Sequence, residues 1–271
     1  MFRGHVPASQ YETMRAPLMG GAFPFPVKYG YAVVGVTEDG QRVFVLHPHQ
    51  DVFAAPSAMC IPIPDAVPTS RAVLAANLET AINICWDAAP LIGERILVIG
   101  AGVVGLLTGS LLARVPGSQV TIVDVDQSRA ALATHFGCTF SLPEAAPADQ
   151  ELVVHTSASE SGLRLALSQA AYEGRIIEAS WYGDTSPAVP LGEAFHAARL
   201  RIIASQVGAV ATPMRGRRTH AERMAIALDM LSDSAYDALL EGPTRFDDLP
   251  TRMPDILRPG GLCHVITYGI E

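Results

Sequence analysis

The middle of the chain alternates short apolar runs with longer stretches in which apolar residues recur at helical spacing. The apolar runs are continuous rather than alternating, which is typical of strands buried on both faces of a parallel sheet. The predicted strands are 95–99, 119–124, 151–156, 175–179 and 199–205. The predicted helices are 70–89, 103–113, 127–136 and 162–172. This rhythm predicts a doubly wound α/β domain over residues 69–206.

The two flanking stretches do not follow this rhythm. Residues 1–68 are rich in proline, glycine and aromatic residues, and they predict short strands at 29–36 and 42–46 joined by a polar turn. Residues 207–271 predict a helix at 220–240 and a final strand at 262–268. The chain therefore divides into three parts, of which only the middle one has the strand–helix alternation.

A glycine motif follows directly on the first strand of the middle part. Gly100, Gly102 and Gly105 form G-x-G-x-x-G, and the helix that begins there starts with Val103 and Val104. The first glycine makes a tight turn, the second lets a pyrophosphate approach the backbone, and the third lets the helix pack closely on the strand. The first helix amides then face the phosphates. The spacing predicts a dinucleotide site; a glycine turn that binds nothing and the similar loop of a methyltransferase are the alternatives.

The next predicted strand ends in a carboxylate, Asp124, which lies 19 residues after Gly105 (124 − 105). A carboxylate at this place can accept hydrogen bonds from both hydroxyls of an adenosine ribose, and it would repel a 2′-phosphate. Val125 and Asp126 bring no arginine that could balance such a phosphate. We therefore expect NAD as the cofactor in preference to NADP.

Charge and composition argue against several classes of protein. The chain carries 19 Lys+Arg and 27 Asp+Glu, a net charge of −8, which argues against nucleic-acid binding. The four cysteines lie far apart with no C-x-x-C pair, as in a reducing compartment, and no signal peptide is apparent, so we expect a cytoplasmic protein. Residues 96–113 carry no charge, but four glycines interrupt them, so a strand, a turn and a helix are expected there rather than a membrane span.

The order of these segments resembles the medium-chain dehydrogenase/reductase superfamily, the zinc-type alcohol dehydrogenases. The similar segments are YGYAVVGV at 29–36, LAANLETAINICWDA at 74–88, ILVIGAGVVGLL at 96–107, EGRIIEASWYGD at 173–184 and GGLCHVITY at 260–268. The resemblance implies a partial GroES-like catalytic domain at 1–68, a Rossmann dinucleotide-binding domain at 69–206 and a return to the catalytic domain at 207–271. Family members carry further residues before the first segment, so a truncated chain or a misplaced start is expected.

The resemblance implies an oxidoreductase that moves a hydride between a nicotinamide cofactor and a small alcohol or carbonyl compound. Relatives often form dimers or tetramers, so a homodimer or tetramer is expected. The similar bacterial branch is related to the bacteriochlorophyllide hydroxyethyl dehydrogenases, which makes a hydroxyethyl tetrapyrrole an alternative substrate. A non-catalytic NAD(P)-binding protein or a decayed dehydrogenase is the alternative from another class.

The zinc ligands of the family are poorly matched in this sequence. Where the family has Gly-His-Glu, the chain has Gly30-Tyr31-Ala32, and the cysteine-rich loop of a structural zinc is absent. Glu79 lies where polyol-dehydrogenase relatives carry an acidic residue near the metal. One carboxylate cannot hold a catalytic zinc, which needs about three protein ligands. Zinc is therefore doubtful, and no metal ligand is assigned.

Without zinc, hydrogen-bond donors must polarise the substrate carbonyl, and the candidates are Tyr31, His49 and Tyr182. Tyr31 takes the place of the family's zinc-binding histidine, His49 could relay a proton, and Tyr182 follows the fifth strand of the middle part. A packing role is the alternative for both tyrosines. His47 and His49 could also form an H-x-H metal pair, but strand-end histidines bonded to the backbone are the favoured interpretation.

Three further residues are candidates for cofactor contacts. Thr80 matches a family position that contacts the nicotinamide. Ser157 follows the fourth strand of the middle part and Trp181 follows the fifth, at the carboxyl ends where such sheets bind ligands. Packing alone is the alternative role for Trp181.

Overall fold

The computed structural model describes residues 4–28, 30–258 and 260–269 of the chain. The strands are β1 (Gly20–Gly21), β2 (Val27–Lys28), β3 (Val33–Val36), β4 (Arg42–Val45), β5 (Ile61–Pro62), β6 (Arg95–Ile99), β7 (Gln119–Val123), β8 (Thr139–Ser141), β9 (Gln150–His155), β10 (Ala170–Glu178), β11 (Arg201–Ala204), β12 (Leu240–Arg245) and β13 (Cys263–Thr267). The α-helices are α1 (Thr69–Ala72), α2 (Ala75–Ala88), α3 (Val103–Leu112), α4 (Ala130–His135), α5 (Glu160–Gln169), α6 (His220–Met230) and α7 (Leu249–Ile256).

The chain forms two compact units. The first unit consists of Met1–Ala76, Gly183–Thr185 and Met224–Glu271, and the second unit consists of Asn77–Tyr182 and Ser186–Arg223. Residues 207–223 thus lie with the second unit.

The second unit is built on a parallel sheet of six strands in the order β11-β10-β9-β6-β7-β8. Read from β8, the strands follow the order 3-2-1-4-5-6 of a doubly wound dinucleotide-binding sheet, and the direction of winding reverses between β6 and β9. The α/β fold predicted from the apolar runs is confirmed. The carboxyl ends of β6 and β9 are therefore the place where a ligand is expected.

The core of the second unit explains the continuous apolar runs. Leu97 and Ile99 of β6, Val153 of β9 and Ile176 of β10 pack together and are buried, and Leu167 of α5 covers them from one side. Strands with helices on both faces leave no residue to face water, so their sequences do not alternate. The uncharged run 96–113 is accounted for by β6 and α3. No helix in the described part of the chain has the length and apolar character needed to cross a bilayer.

Several predicted boundaries in the second unit were wrong. The helix predicted at 162–172 ends at Gln169, and β10 begins at once with Ala170, which pairs with Gln150 before the register shifts and pairing resumes at Arg175. The short strand β8 was not predicted, and residues 127–129 form a 3-10 helix ahead of α4. These segments take their structure from strand partners elsewhere in the chain, which local periodicity does not report.

The described residues of the first unit form three small sheets. Strands β1 and β2 pair antiparallel, β3, β4 and β5 form an antiparallel sheet, and β12 and β13 pair in parallel. These sheets fit a partial GroES-like domain. The strand predicted at 29–36 begins at Val33, and its first residue, Tyr29, lies outside the described residues.

The helix predicted at 220–240 was also wrong in its second half. It ends at Met230, and after the 3-10 helix Ser234–Leu239 the chain enters β12. An ion pair holds this region in place: the Arg71 guanidinium of α1 donates to both oxygens of Asp237, each at 2.7 Å, and to the carbonyls of Leu231 and Ser232. Strand β12 pairs with β13, which lies beyond α7 in the chain. Its extended conformation therefore depends on a distant segment and cannot be predicted from residues 240–245 alone.

Candidate functional site

The glycine loop lies at the carboxyl end of β6, between β6 and α3. Gly100 has a φ of +108°, and a Cβ there would stand 2.9 Å from Thr156 Oγ1 and 3.0 Å from the Ser157 backbone nitrogen. A Cβ on Gly105 would stand 1.8 Å from the Gly100 carbonyl oxygen. Both glycines are therefore required by the packing of the protein itself, the first for its backbone conformation and the second for the close approach of α3 to β6.

Gly102 is different, because the protein does not require a glycine there. It is exposed, its backbone is extended (φ −74°, ψ −179°), and no atom among the described residues lies within 4 Å of a Cβ built on it. The first intrahelical hydrogen bond runs from Leu106 N–H to the Gly102 carbonyl (2.9 Å), so the amides of Val103, Val104 and Gly105 belong to the open first turn of α3. The loop thus offers free space above a helix N-terminus, which fits a bound pyrophosphate.

Asp124 follows β7 and holds the other side of the loop. Its carboxylate accepts hydrogen bonds from the N–H groups of Ala101 (2.6 Å) and Asp126 (2.9 Å). Each carboxylate oxygen has a further lone pair, so the group can also accept ribose hydroxyls. The nearby Arg129 is ion-paired with Asp126 at 3.4 Å. The arrangement fits an adenosine ribose without a 2′-phosphate.

A hydrogen-bonded cluster that sequence reasoning missed lies beside this loop. The strand register places Ile99, His155 and Glu178 side by side at the carboxyl ends of β6, β9 and β10. The buried His155 ring uses both nitrogens: Nδ1 lies 2.8 Å from Glu178 Oε2, and Nε2 lies 2.7 Å from Ser157 Oγ. The available signal was that His155 directly follows the apolar run 152–154 and Glu178 directly follows Ile176 and Ile177.

Tyr182 belongs to the same cluster. Its hydroxyl donates to Glu178 Oε2 at 3.1 Å and lies 3.3 Å from His155 Nδ1, while Ser180 N–H donates to Glu178 Oε1 at 2.8 Å. Burial alone would raise the pKa of the Glu178 carboxyl, but the hydrogen bond and charge of His155 hold it below its ordinary value. Burial raises the pKa of the Tyr182 hydroxyl, and the Glu178 charge raises it further. Tyr182 therefore keeps its proton and directs it at Glu178.

The other two candidate acids, Tyr31 and His49, lie in the first unit. Tyr31 is 45% exposed and is thus no buried core residue. The Tyr268 hydroxyl lies 3.3 Å from His49 Nδ1, and burial lowers the pKa of His49, which favours the neutral ring. His47 has the expected backbone partner, with its Nδ1 2.8 Å from the Pro48 carbonyl oxygen. The catalytic roles of Tyr31 and His49 stay predictions.

Thr80 and Trp181 are half-buried in the second unit, Thr80 on α2 and Trp181 after β10. Their cofactor contacts also stay predictions.

The residues of this structure do not fit a catalytic zinc. Among the described residues no group of three or more His, Cys, Asp or Glu side chains is placed to hold a metal ion. Glu79, the one acidic candidate, lies 3.0 Å from the buried Arg223 guanidinium and is already paired with it. Burial raises the pKa of the Glu79 carboxyl, and Arg223 opposes that rise.

The comparisons with known proteins agree with this geometry. A family model described as ketopantoate reductase PanE/ApbA matches residues 96–172, the region of the glycine loop. Sorbitol dehydrogenase of Rattus norvegicus is 31% identical over 83 residues, which covers 31% of this chain and 23% of the rat enzyme. A zinc-type alcohol dehydrogenase-like protein of Haemophilus influenzae is 23% identical over 238 residues, which covers 83% of this chain and 63% of that protein.

A solved structure shows the same fold. A short chain alcohol dehydrogenase of Escherichia coli CFT073, complexed with NADH, superposes with a TM-score of 0.68 at 18% identity and covers 85% of this chain and 77% of that one. The chain spans less than two thirds of the length of the two curated relatives, 23% and 63%.

Proposed function

Since the chain is related in sequence and in fold to the alcohol and polyol dehydrogenases of the medium-chain dehydrogenase/reductase superfamily, we propose that it is a NAD-dependent oxidoreductase. It would move a hydride between the cofactor and a small alcohol or carbonyl compound. The observation that carries this proposal is Gly102, a glycine whose absent side chain serves no protein contact, at the switch point of a doubly wound sheet.

The chain's own residues bind and orient the cofactor in this proposal. The loop from Gly100 to Gly105 and the first turn of α3 hold the pyrophosphate, and Asp124 accepts the ribose hydroxyls. Bound NAD supplies the hydride acceptor, and the protein supplies orientation and a group that takes the proton of the alcohol. No step is assigned to zinc, because the donor set does not fit it.

Asp124→Asn is expected to weaken NADH binding about 10- to 100-fold, since a hydrogen bond to a charged group contributes about 1.5–3 kcal/mol. The amide keeps the shape of the side chain, and its Oδ1 still accepts from the Ala101 N–H that holds the glycine loop, while the bond from the Asp126 N–H is lost. NADPH affinity should fall less, because the charge that repels the 2′-phosphate is removed with the carboxylate. Titrations that follow nicotinamide fluorescence measure both constants.

Asp126→Asn is the matched control for this prediction. It removes a carboxylate two residues away, one that caps the 127–129 turn through the Ser128 N–H instead of holding the glycine loop. We expect its NADH affinity to stay within about twofold of the unchanged chain. Equal NADH affinity in Asp124→Asn and the unchanged chain would exclude the ribose role of Asp124.

Turnover should not depend on zinc. After dialysis against EDTA, the rate of alcohol oxidation is expected to be unchanged, because Glu79 is paired with Arg223 and the described residues form no three-donor group. Metal analysis of the same sample should find zinc far below one equivalent. A rate that falls on dialysis and returns on addition of zinc would contradict this prediction.

The reaction itself is tested with NAD and three alcohols of different class: a polyol (sorbitol), a diol (2,3-butanediol) and an aromatic alcohol (benzyl alcohol). Formation of NADH is followed by its absorbance. Oxidation of at least one alcohol is the expected result. NADH binding without turnover on any of them would favour a non-catalytic NAD-binding protein instead.

A further inference from the structure

We propose that Ser157, His155 and Glu178 form a proton relay that takes the proton of the substrate alcohol. Ser157 is the catalytic residue of the relay, and His155 and Glu178 are positioning residues that act through it. The inference rests on the proposed function, because it identifies the acid–base group which that reaction needs in place of a metal.

The hydrogen bonds around His155 fix which nitrogen carries the proton. Glu178 is acceptor-only when ionised, so the short 2.8 Å contact places a proton on His155 Nδ1. In the neutral ring Nε2 then has a free lone pair, and it lies 2.7 Å from Ser157 Oγ. The Ser157 hydroxyl therefore donates to His155. Its own lone pairs face Ser159 Oγ at 2.9 Å and any further donor that approaches.

Ser157 stands directly against the loop that would hold the cofactor. Thr156 N–H donates to the Ile99 carbonyl at 2.9 Å, and a Cβ on Gly100 would be 3.0 Å from the Ser157 nitrogen. The switch point between β6 and β9 is thus bordered by Gly100 on one side and by Ser157 on the other. The proposal places the substrate alcohol in this crevice, against the cofactor and beside Ser157.

The first turn of α5 is shaped to leave room for this cluster. A Cβ on Gly162 would stand 2.3 Å from Ser157 Oγ and 2.7 Å from His155 Nε2. The Gly162 N–H donates to Ser159 Oγ at 3.1 Å, which holds the turn in place. A buried histidine, a carboxylate and a hydroxyl are costly to desolvate, and an apolar strand end would stabilise the sheet at lower cost. A sheet end with only a structural role does not need this network, and we therefore assign it a chemical role.

The proton balance of the step is complete. The alcohol O–H gives its proton to Ser157 Oγ while Ser157 gives its own proton to His155 Nε2. NAD, which the glycine loop and Asp124 would hold, would accept the hydride with the electron pair of the C–H bond at the same carbon, and the electron pair left by the O–H bond would form the C=O bond. The imidazolium that results is stabilised by the Glu178 carboxylate. The reverse sequence protonates the alkoxide during carbonyl reduction.

The test uses the full chain and three variants: Ser157→Ala, His155→Gln and Glu178→Gln. His196→Gln is the matched control, the same change at an exposed histidine of the second unit. The readouts are the Kd for NADH, and the kcat and KM for the fastest of the three alcohols. Removal of a general base typically costs 10²- to 10⁴-fold, so we expect kcat to fall about 10²-fold or more in Ser157→Ala and His155→Gln. The Kd for NADH should stay within about threefold in His155→Gln and Glu178→Gln, whose side chains are not candidate cofactor contacts.

A split between kcat and KM separates a relay from a structural cluster. The titratable and charged groups that face the His155 ring are Glu178 and Tyr182 from the β10 side, while serines face it from the β9–α5 side. The relay acts on the proton that leaves the alcohol in the transition state, so the three variants should lose kcat while the KM for the alcohol stays within about threefold of the unchanged chain. Variants that raise the KM and keep kcat would show that the cluster only shapes the site.

Two results would overturn the proposal in distinguishable ways. If the variants bind NADH and keep the kcat of His196→Gln, the cluster is structural and the proposed function stands. If the unchanged chain binds NADH but oxidises none of the alcohols, the proposed reaction fails and the relay fails with it.

Discussion

Gly105→Ala is expected to destabilise the second unit by about 3 kcal/mol or more, the upper range for an overpacked core. The added Cβ would stand 1.8 Å from the Gly100 carbonyl oxygen and 2.8 Å from Thr156 Oγ1. The first of these neighbours is backbone, so no rotamer change relieves it. Helix α3 would have to move away from β6, and its buried face, which includes Leu106, would lose contacts. Urea denaturation followed by circular dichroism measures the loss.

Gly102→Ala is the matched control, and it should show the opposite pattern. Its Cβ meets no described atom within 4 Å, so the free energy of unfolding should change by less than about 0.5 kcal/mol. NADH binding should nevertheless weaken by about tenfold or more, because the methyl group occupies the space through which a pyrophosphate reaches the backbone. Full NADH affinity in Gly102→Ala, or full stability in Gly105→Ala, would contradict the corresponding assignment.

Arg223→Met is expected to cost about 3–5 kcal/mol of unfolding free energy, as for other buried ion pairs that lose one partner. Arg223 is almost fully buried, and its guanidinium donates to Glu79 Oε1 at 3.0 Å, to Asn83 Oδ1, and to the carbonyls of Val207 (2.5 Å) and Ala209 (3.2 Å). Methionine leaves the Glu79 carboxylate buried without its counter-charge. Denaturant unfolding at neutral pH measures the difference.

The pH dependence of this loss has a definite sign. The pKa of Glu79 is raised by burial and lowered by Arg223, so removal of Arg223 raises it further. A carboxyl whose pKa is higher in the folded than in the unfolded protein stabilises the fold at pH values below its unfolded pKa. This stabilisation is lost as the pH rises through the folded pKa. The deficit of Arg223→Met should therefore be smaller near about pH 5 than near about pH 8. A deficit that grows on acidification would contradict the assignment.

Two further variants isolate the ion pair. Glu79→Leu combined with Arg223→Met removes both charges of this ion pair. The double variant should therefore be more stable than Arg223→Met alone. Arg164→Met makes the same change at a half-exposed arginine, which pairs with Glu160 at 3.4 Å on α5. Its cost should stay below about 1 kcal/mol, because exposed ion pairs contribute little.

Much of the second unit could be predicted from the sequence. Strands such as 95–99 and 119–123 are recognisable because burial on both faces makes them continuously apolar. The glycine motif was recognisable because its spacing is local and it directly follows a predicted strand. The strand β12 was not, because the segment Leu240–Arg245 contains Gly242 and Pro243, has no apolar run and becomes a strand only beside β13.

The candidate site could be predicted only in part, for a related reason. Gly100, Gly102 and Gly105 lie within one turn of the chain, and the spacing to Asp124 follows from a single strand–helix–strand unit. His155 and Glu178 are 23 residues apart, and Glu79 and Arg223 are 144 residues apart. Their pairing depends on strand register and on helix packing, so inspection of either partner alone predicts an isolated polar residue.

The sequence by itself determined the parallel α/β fold, the place of the glycine loop and the acidic residue that faces it. These features are encoded by neighbours along the chain, through periodicity and turn geometry. Only the tertiary structure decided that Gly105 is required by a backbone contact and Gly102 is not, that Glu79 is held by Arg223, and that His155 joins Ser157 to Glu178. Those relations depend on which residues of different elements come within a few ångströms of one another, and this is settled when the sheet and its helices pack.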